Sequence, residues 1–497
     1  MLRNGKDIAS GTTIGTQVCI VGSGQAGITA AWCLQRAGIR VVLIEGSREK
    51  PTLQDSWPDK QLLYAGEEAG LFATNERDFL TSPFYQGQSP SERERYFGGT
   101  STHWGGQSRP LDPVDFEARE GFPGWPITRA DLDPYYAQAV PFCMLHGQFA
   151  DDNFSGDYWT RVLGLDGSSM QRIADFDPCM YQFMGGAFLN FATRLFPDGK
   201  TIGDSAADVI LNASLLEIQA GDGSVGRLRV ASMDDAMSPG VATEFWIEAD
   251  AYVLACGAVA NAQQLLLSDI GNEHDQVGRN FLCHPLSMGV NVGVYGFPPA
   301  PLSDLMAGND ADGASWRDAN GVRVTGRFQL TADALRDNAI GNCWMRAYSA
   351  SAYFEMAPNP DSRITLTNTT DKVFGQPQVR IDWRLGALDQ KTYERSTELF
   401  AAAIKPEGGT LTVPSWSSIE RAVVVNGHHI GTTRMSADPA QGVVDANLKV
   451  HSMDNLYVAG SSVFATTGVS NPTFTIITLS IRLAEHLAAR LGGPPVA

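Results

Sequence analysis

The stretch "QVCIVGSGQAGITAAWCLQRAGIRVVLIE", residues 17–45, decides the fold. It starts with a short apolar run, 18–21, which is typical of a buried parallel strand, and three glycines in GxGxxG spacing follow. A helix-forming segment comes next, and Gly38 is suited to end it. A second apolar run, 41–44, then leads to Glu45. This order of strand, turn, helix and strand predicts the first crossover of a dinucleotide-binding sheet.

Each glycine of the turn is expected at its position for a physical reason. Gly22 permits the tight turn, Gly24 lets the backbone approach a pyrophosphate, and Gly27 lets the helix pack closely on the strand. The helix N-terminus supplies free N–H groups and partial positive charge for the phosphates. Glu45 is placed to accept both hydroxyls of an adenosine ribose, and its charge would repel the 2′-phosphate of NADP. The pattern predicts a dinucleotide site and leaves FAD and NAD open.

Composition narrows the class of protein. A chain of 497 residues is long enough for two or three domains, and a net charge of −18 argues against nucleic acid or an anionic membrane as partner. Seven cysteines without a CxxC pair predict reduced thiols rather than disulfides or a metal site. Neither a signal-peptide pattern nor a membrane-spanning stretch occurs, so we expect a cytoplasmic protein without membrane insertion.

Hydrophobic periodicity divides the chain. Parallel-strand and crossover patterns at 1–110, 205–285 and 426–497 predict a discontinuous dinucleotide domain. Alternating segments within 286–425 predict a substrate domain on a mostly antiparallel sheet, and 111–204 is interpreted as lid or insertion segments. The fold class is therefore α/β, with a Rossmann-like domain interrupted by an α+β domain. Inside the insertion, Thr128 and Asp131 are spaced as the capping box of a helix.

Four further segments resemble the glucose–methanol–choline (GMC) oxidoreductase family. They are "YFGGTSTHWGG" at 96–106, "VLACGAVANAQQLLL" at 253–267, "GNEHDQVGRNFLCHP" at 271–285, and the block from "HHIGTTRM" through "SNPTFT" to "LAEHL" at 428–487. With the glycine motif they cover the dinucleotide domain nearly end to end, and the resemblance implies that the cofactor is FAD. Within the family the pattern is most similar to pyranose oxidases and bacterial sugar or glycoside 3-oxidases and dehydrogenases.

The resemblance also implies a catalytic pair. Counting back from "RM", the family's catalytic histidine falls on His428, and the partner position before "PT" falls on Asn471. Histidine suits proton removal from an alcohol, while asparagine can only orient the hydroxyl and stabilise the developing alkoxide. For His429 a packing role is favoured. Without the resemblance, His428 itself would be interpreted as a core histidine that orders its loop.

The expected cofactor contacts come from several segments. His103 is either bonded covalently to the flavin or lies beside it without a bond, and the second alternative is favoured. Ser461 stands where many flavoproteins have an acid on the ribitol, so either Ser461 or backbone N–H groups of this loop would contact the ribitol. Leu211 matches the segment that crosses the adenine. The full expected set is Gly22, Gly24, Gly27, Glu45, Gly99, Thr100, His103, Trp104, Gly105, Leu211, Ala255, Gly257, Ser461, Pro472 and Thr473.

These expectations combine into one function. We expect FAD-dependent oxidation of a secondary alcohol of a sugar or glycoside to a ketone, with electrons passed to oxygen or another acceptor. The alternatives are a flavin-containing lyase without redox chemistry, a dehydrogenase subunit that needs a partner or cytochrome, and oxidation of a non-sugar alcohol. The sequence does not specify the sugar, the hydroxyl that reacts or the oligomeric state.

Overall fold

The computed structural model describes residues 1–47, 95, 97–102, 104–164, 172–184, 207–234, 240–286, 293–295, 316–317, 323–346, 352–371, 373–422, 424–425 and 427–496. The strands in these ranges are β1 (Leu2–Asn4), β2 (Thr13–Val21), β3 (Val41–Ile44), β4 (Gln107–Ser108), β5 (Phe176–Phe183), β6 (Ala207–Leu211), β7 (Ser214–Gly221), β8 (Ser224–Met233), β9 (Val241–Leu254), β10 (Pro285–Leu286), β11 (Gly293–Tyr295), β12 (Trp316–Arg317), β13 (Arg323–Leu330), β14 (Cys343–Met345), β15 (Ala352–Phe354), β16 (Arg363–Thr370), β17 (Pro377–Asp382), β18 (Thr410–Thr412), β19 (Val424–Val425) and β20 (Leu456–Val458). The α-helices there are α1 (Gln25–Arg36), α2 (Arg129–Phe142), α3 (Gly156–Leu163), α4 (Gly257–Leu267), α5 (Ala332–Asn338), α6 (Ala387–Ile404), α7 (Trp416–Ala422) and α8 (Pro472–Arg490).

The first sheet is the predicted Rossmann-like sheet. Its strands run in the order β1-β6-β3-β2-β9-β8-β7, and β20 pairs with the end of β9. The pairs from β1 to β9 are parallel, whereas β7 and β8 add an antiparallel edge. The apolar runs at 18–21, 41–44 and 251–254 are buried, as expected for parallel strands covered on both faces.

Three helices pack together beside this sheet. Helix α1 contacts α8, and α8 also contacts α2. The side chain of Thr128 accepts from the backbone N–H of Asp131, and the backbone N–H of Thr128 donates to the Asp131 carboxylate, so the capping box predicted for α2 is present. The hydroxyl of Tyr136 in α2 is 2.8 Å from the hydroxyl of Thr475, which ties α2 to the first turn of α8 just after the predicted partner residue Asn471.

The second sheet is antiparallel and confirms the predicted α+β domain. Its order is β19-β10-β15-β14-β13-β5-β4, with β12 paired to β13. Its longest pairing joins β13 to β5, from Arg323 opposite Phe183 to Leu330 opposite Phe176. Strand β5 comes from the stretch interpreted as lid or insertion segments, so part of that stretch belongs to this sheet. The domain boundaries themselves stay a prediction.

One face of the second sheet is covered by α6. Phe176, Phe328 and Phe354 of the sheet form an apolar core with Tyr393 and Phe400 of the helix. Because side chains alternate along a strand, the opposite face carries a different set, which includes Tyr181, Trp344 and Tyr353. This second face lies against the chain that leads into α8, since Val469 packs with Tyr181 and Trp344.

All seven cysteines are free thiols, and six of them are buried. Among the helices that the structure describes, none combines the length and the apolar character required to cross a membrane.

Candidate active site

The glycine turn between β2 and α1 has the shape of a phosphate cradle. Gly22 has φ of 101°, and a Cβ there would lie 2.5 Å from the carbonyl oxygen of Ala255. A Cβ on Gly27 would lie 2.0 Å from the carbonyl oxygen of Gly22. Gly24, the N-cap of α1, has no protein atom within 4 Å of that position. Packing therefore requires the first and third glycines, whereas the second leaves open space that a pyrophosphate can fill.

The expected adenosine end lies at the same edge of the sheet. Glu45 is buried, and its carboxylate accepts from the backbone N–H groups of Ser23 at 3.1 Å and Ser47 at 3.0 Å. Burial raises the pKa of Glu45. Leu211 ends the neighbouring strand β6, and the N–H of Ala213 donates to the Glu45 carbonyl at 2.9 Å. The structure thus brings together the two segments expected to contact adenosine.

The segment after residue 98 returns to the start of α1. Gly99, with φ of 52°, approaches the Cα of Gly24 so closely that a Cβ would lie 3.1 Å from it. The side chain of Gln25 donates to the hydroxyl of Thr100 at 3.4 Å. Trp104 is partly buried against the main core. His103 lies outside the described residues, so its bond to the flavin stays a prediction.

Two further cofactor segments meet at the end of β9. The N–H of Cys256, which lies between Ala255 and Gly257, donates to the side chain of Asn261 at 2.8 Å. The amide of Asn261 in turn donates to the Ala459 carbonyl and the Ser462 hydroxyl, at 3.1 and 3.0 Å. The turn at 255–257 and the loop around Ser461 are therefore tied together.

Ser461 connects that loop to the two adjacent histidines. Its hydroxyl donates to the carbonyl of His429 at 2.6 Å, and the N–H of Gly431 donates to the Ser461 carbonyl at 3.1 Å. The Ser461 hydroxyl thus holds the histidine segment, and the expected cofactor contact of Ser461 stays a prediction. Pro472 and Thr473, the remaining expected contacts, are buried in the first turn of α8.

His428 and Asn471 lie side by side. The Nδ2 atom of Asn471 is 3.5 Å from Nε2 of His428, although 43 residues separate them in the chain. Asn471 is the N-cap of α8 and Pro472 occupies the first helical position, yet the Asn471 side chain makes no capping hydrogen bond. Asparagine at an N-cap usually bonds the helix backbone. Here its amide is directed to the imidazole instead, and both residues keep part of their surface exposed.

His429 is on the other side of the segment from His428. Its ring packs against Phe281, with ring centroids 5.3 Å apart, and only 8% of its surface is exposed. Neighbouring residues of an extended chain point in opposite directions, which explains why only one of the two rings reaches Asn471. The geometry agrees with a packing role for His429.

A third histidine, His284, completes the cluster. Its Nδ1 atom is 2.9 Å from Nδ1 of His428, and its Nε2 atom is 2.9 Å from the Gly468 carbonyl oxygen. Sequence reasoning did not identify His284 as a site residue. It lies in the segment "GNEHDQVGRNFLCHP" quoted for the family resemblance, but nothing local links it to a partner 144 residues away.

Burial keeps both of these histidines neutral near neutral pH. The pKa of His428 lies well below the ordinary value of 6.5, chiefly because the ring is desolvated and secondly because His284 and His429 are close. Burial likewise lowers the pKa of His284 to about 4. A neutral imidazole has a lone pair and can take a proton, so His428 is in the correct state for a general base.

Aromatic side chains of the second sheet lie beside His428. The ring centroid of Tyr353 is 6.3 Å from that of His428, and Tyr353 stacks on Trp344 at 4.6 Å with 15° between the planes. The indole N–H of Trp344 and the hydroxyl of Tyr181 both donate to the Val469 carbonyl at 3.1 Å. Together these contacts hold the sheet beside Asn471 and place the partly exposed ring of Tyr353 next to the histidine.

A dinucleotide cradle and a neutral histidine beside an amide define the class of the protein: a cofactor-dependent oxidoreductase. Comparison with known families gives the assignment. Family models described as GMC oxidoreductase match residues 208–286 and 358–480, and one described as FAD binding domain matches residues 15–55. The chain therefore carries GMC oxidoreductase family domains over these residues, and its cofactor is FAD. It is an FAD-dependent enzyme that acts on alcohol groups.

Several curated relatives are named for sugars or glycosides, and one is named a 2-methyl-1,2-propanediol dehydrogenase. The large subunit of fructose dehydrogenase from Gluconobacter japonicus is 22% identical, over 96% of this chain and 98% of its own length. The 6‴-hydroxyparomomycin C oxidase of Streptomyces lividus is 26% identical, over 95% and 92%. A C-glycoside 3-oxidase from Arthrobacter globiformis is 30% identical, over 26% of this chain and 25% of its own length.

Solved structures support the fold. Formate oxidase superposes with a TM-score of 0.61 over 97% of this chain and 99% of its own, at 15% identity. Pyridoxine 4-oxidase from Mesorbium loti superposes with a TM-score of 0.57, over 95% and 99%, at 18% identity. At such identities the likeness establishes the fold alone, and it confirms the α/β class with a Rossmann-like FAD domain.

Proposed function

We propose that the protein oxidises a secondary alcohol of a sugar or glycoside to a ketone, with His428 as base and Asn471 as orienting group. The observation that carries this proposal is the pairing of Nε2 of His428 with Nδ2 of Asn471 at 3.5 Å. A hydroxyl that bridges the two nitrogens from one side can donate to the imidazole and accept from the amide. FAD, when bound, supplies the hydride acceptor.

The roles of the two residues follow from their chemistry. His428 takes the hydroxyl proton as charge develops on the oxygen, and its lowered pKa keeps it available for this. Asn471 cannot act as a base. Its amide fixes the direction of the hydroxyl and stabilises the developing alkoxide, so it contributes through orientation and electrostatics.

The substrate class rests on the surroundings of the pair. The ring of Tyr353, which is partly exposed and stacks on the buried Trp344, lies beside His428, and carbohydrate rings have an apolar face that an aromatic ring suits. The sugar-acting names of several relatives agree with this choice. Oxygen or another acceptor would then remove the electrons, and the seven free thiols support a location in the cytoplasm.

One alternative has a specific observation in its favour. The Gluconobacter relative, which matches over nearly its whole length, is named as a large subunit, so a dehydrogenase subunit that passes electrons to a partner is the second candidate. Assay of the purified chain alone with a dye acceptor separates the candidates. Full turnover without any other protein supports an independent enzyme, and reduced flavin that does not turn over supports the subunit.

The test is anaerobic flavin reduction. The FAD-loaded protein is mixed with a panel of sugars, methyl glycosides and simple primary and secondary alcohols, and the flavin absorbance is followed. We expect bleaching by at least one sugar or glycoside, and reoxidation when the correct acceptor is added. Product formation without any bleaching would instead indicate a lyase, and bleaching by simple alcohols alone would contradict the sugar assignment.

A further inference from the structure

Backbone pairing between two distant segments places His284 opposite His428. Leu282 and Ile430 exchange two backbone hydrogen bonds of 2.9 Å in an antiparallel bridge. Two residues further along each chain, in opposite directions, are His284 and His428. Residues opposite each other in antiparallel pairing bring their side chains together on one face, so the bridge presents the two imidazoles to each other.

Hydrogen-bond chemistry then assigns the protons. The carbonyl oxygen of Gly468 can only accept, so Nε2 of His284 must donate to it across 2.9 Å. A neutral imidazole has one N–H, which leaves Nδ1 of His284 as an acceptor. Its partner at 2.9 Å, Nδ1 of His428, must therefore be the donor. This leaves the lone pair of His428 on Nε2, the atom that faces the Asn471 amide.

The carbonyl of Gly468 is itself held in place. The N–H of Gly468 donates to the carboxylate of Glu355 at 3.0 Å, and Arg119 forms a buried ion pair with the same carboxylate at 3.0 Å. Gly468 has φ of 51°, and a Cβ would lie 2.7 Å from the Asp115 carboxylate. The acceptor that fixes the proton on His284 therefore sits in a rigid part of the core.

We propose that His284 is a positioning residue that locks His428 in the Nδ1–H tautomer, with the lone pair of Nε2 directed at the substrate hydroxyl. The proposal rests on the proposed function of His428 as base. Without this lock His428 can place its proton on Nε2, and that form cannot accept a proton from the substrate. Through its own donor bond His284 thus connects the reacting nitrogen to the Glu355–Arg119 pair.

Two substitutions test the proposal in the FAD-loaded protein. His284→Leu fills similar space but removes the acceptor for the His428 N–H. Partners that orient metal-bound histidines contribute about 10- to 100-fold, and we expect the limiting rate of anaerobic flavin reduction by D-glucose or a methyl glycoside to fall by a similar factor. The half-saturating concentration of substrate should stay unchanged. His284→Gln retains one donor and one acceptor, and we expect it to restore most of the rate.

The pH profile provides a readout that a merely structural role would not move. The neighbouring imidazole contributes to the low pKa of His428, so both variants should shift the acid limb of the reduction rate to higher pH. The control is His486→Gln, which replaces a half-buried histidine of α8 remote from the site and should change neither rate nor profile. A wild-type rate in His284→Leu, or an equal loss in His284→Gln, would overturn the proposal.

Nitrogen NMR of protein labelled with ¹⁵N-histidine tests the tautomer without any substrate. At neutral pH we expect His428, assigned by the signal lost in His428→Gln, to carry its proton on Nδ1, and His284→Leu to mix the two tautomers. A proton on Nε2 of the wild-type residue would overturn the proposal. If no sugar or alcohol reduces the flavin, the proposed function fails, yet this spectrum still decides the tautomer.

Discussion

At the scale of single residues, the difference between His428 and His429 depends on which way each ring points. His428 meets Asn471 and His284, whereas His429 packs on Phe281. Counting back from "RM" in the sequence selected His428, and the position of its ring agrees with that choice. His284 could not be found in this way, because its importance comes from a strand bridge between distant segments.

The pH dependence of flavin reduction tests the state of His428. A base works when it is neutral, and a lowered pKa keeps His428 neutral to lower pH than an ordinary histidine. With a substrate that reduces the flavin, we expect the rate to stay constant from pH 8 down to 6.5 and to fall only at more acid pH. Stopped-flow absorbance at each pH measures it. An acid limb centred at or above pH 6.5 would contradict the conclusion that burial lowers the pKa of His428.

At the scale of elements, the glycine turn and the first helix followed directly from the sequence. Spacing alone predicted the strand at Val18–Val21, the helix after Gly24 and the capping box of α2, because each depends on residues only a few positions apart. The place of β5 in the second sheet could not be predicted from the sequence. Its partner β13 lies more than a hundred residues away, and no local pattern encodes that pairing.

Three glycine substitutions separate packing from cofactor binding. Gly27→Ala forces a Cβ against the Gly22 carbonyl, so we expect a loss of about 1–3 kcal/mol of stability together with poor FAD retention. Gly24→Ala meets no protein atom, so the apoprotein should lose less than about 1 kcal/mol. Its Cβ would nevertheless occupy the pyrophosphate space, and FAD should bind about 10- to 100-fold more weakly.

Gly15→Ala is the matched control, because this exposed residue of β2 has open space around it. This substitution should change neither the stability of the apoprotein nor its affinity for FAD. Thermal unfolding of the apoprotein and fluorescence titration with FAD measure the two effects. Equal FAD affinity in Gly24→Ala and the wild type would show that the pyrophosphate does not lie over the second glycine.

At the scale of the whole molecule, the cofactor site is assembled from remote segments. The turn at 22–27, the loop from 97–102, the turn at 255–257 and the chain from 459–473 meet around one edge of the first sheet. The resemblance indicated which segments belong together. The aromatic face of the second sheet packs against Val469. This contact depends on tertiary packing, which the sequence pattern does not encode.

This assembly predicts strong stabilisation by the cofactor. A ligand that binds only the folded state adds about 2.7 kcal/mol when its free concentration is 100 times its dissociation constant. We expect FAD to raise the unfolding temperature of the apoprotein, with a concentration dependence of that form. NAD and NADP are the controls: the charge of Glu45 disfavours only the 2′-phosphate of NADP, whereas NAD tests the assignment of the cofactor as FAD. Equal stabilisation by NAD would contradict the assignment of the site to FAD.

The central claim is that His428, and not its neighbour, removes the substrate proton. The direct measurement is the anaerobic rate of flavin reduction in His428→Gln and His429→Gln, two changes of the same size at adjacent positions. We expect both proteins to bind FAD, His428→Gln to reduce it about 10²- to 10⁴-fold more slowly, and His429→Gln to stay close to the wild-type rate. Slow reduction in His429→Gln with a wild-type rate in His428→Gln would contradict the claim.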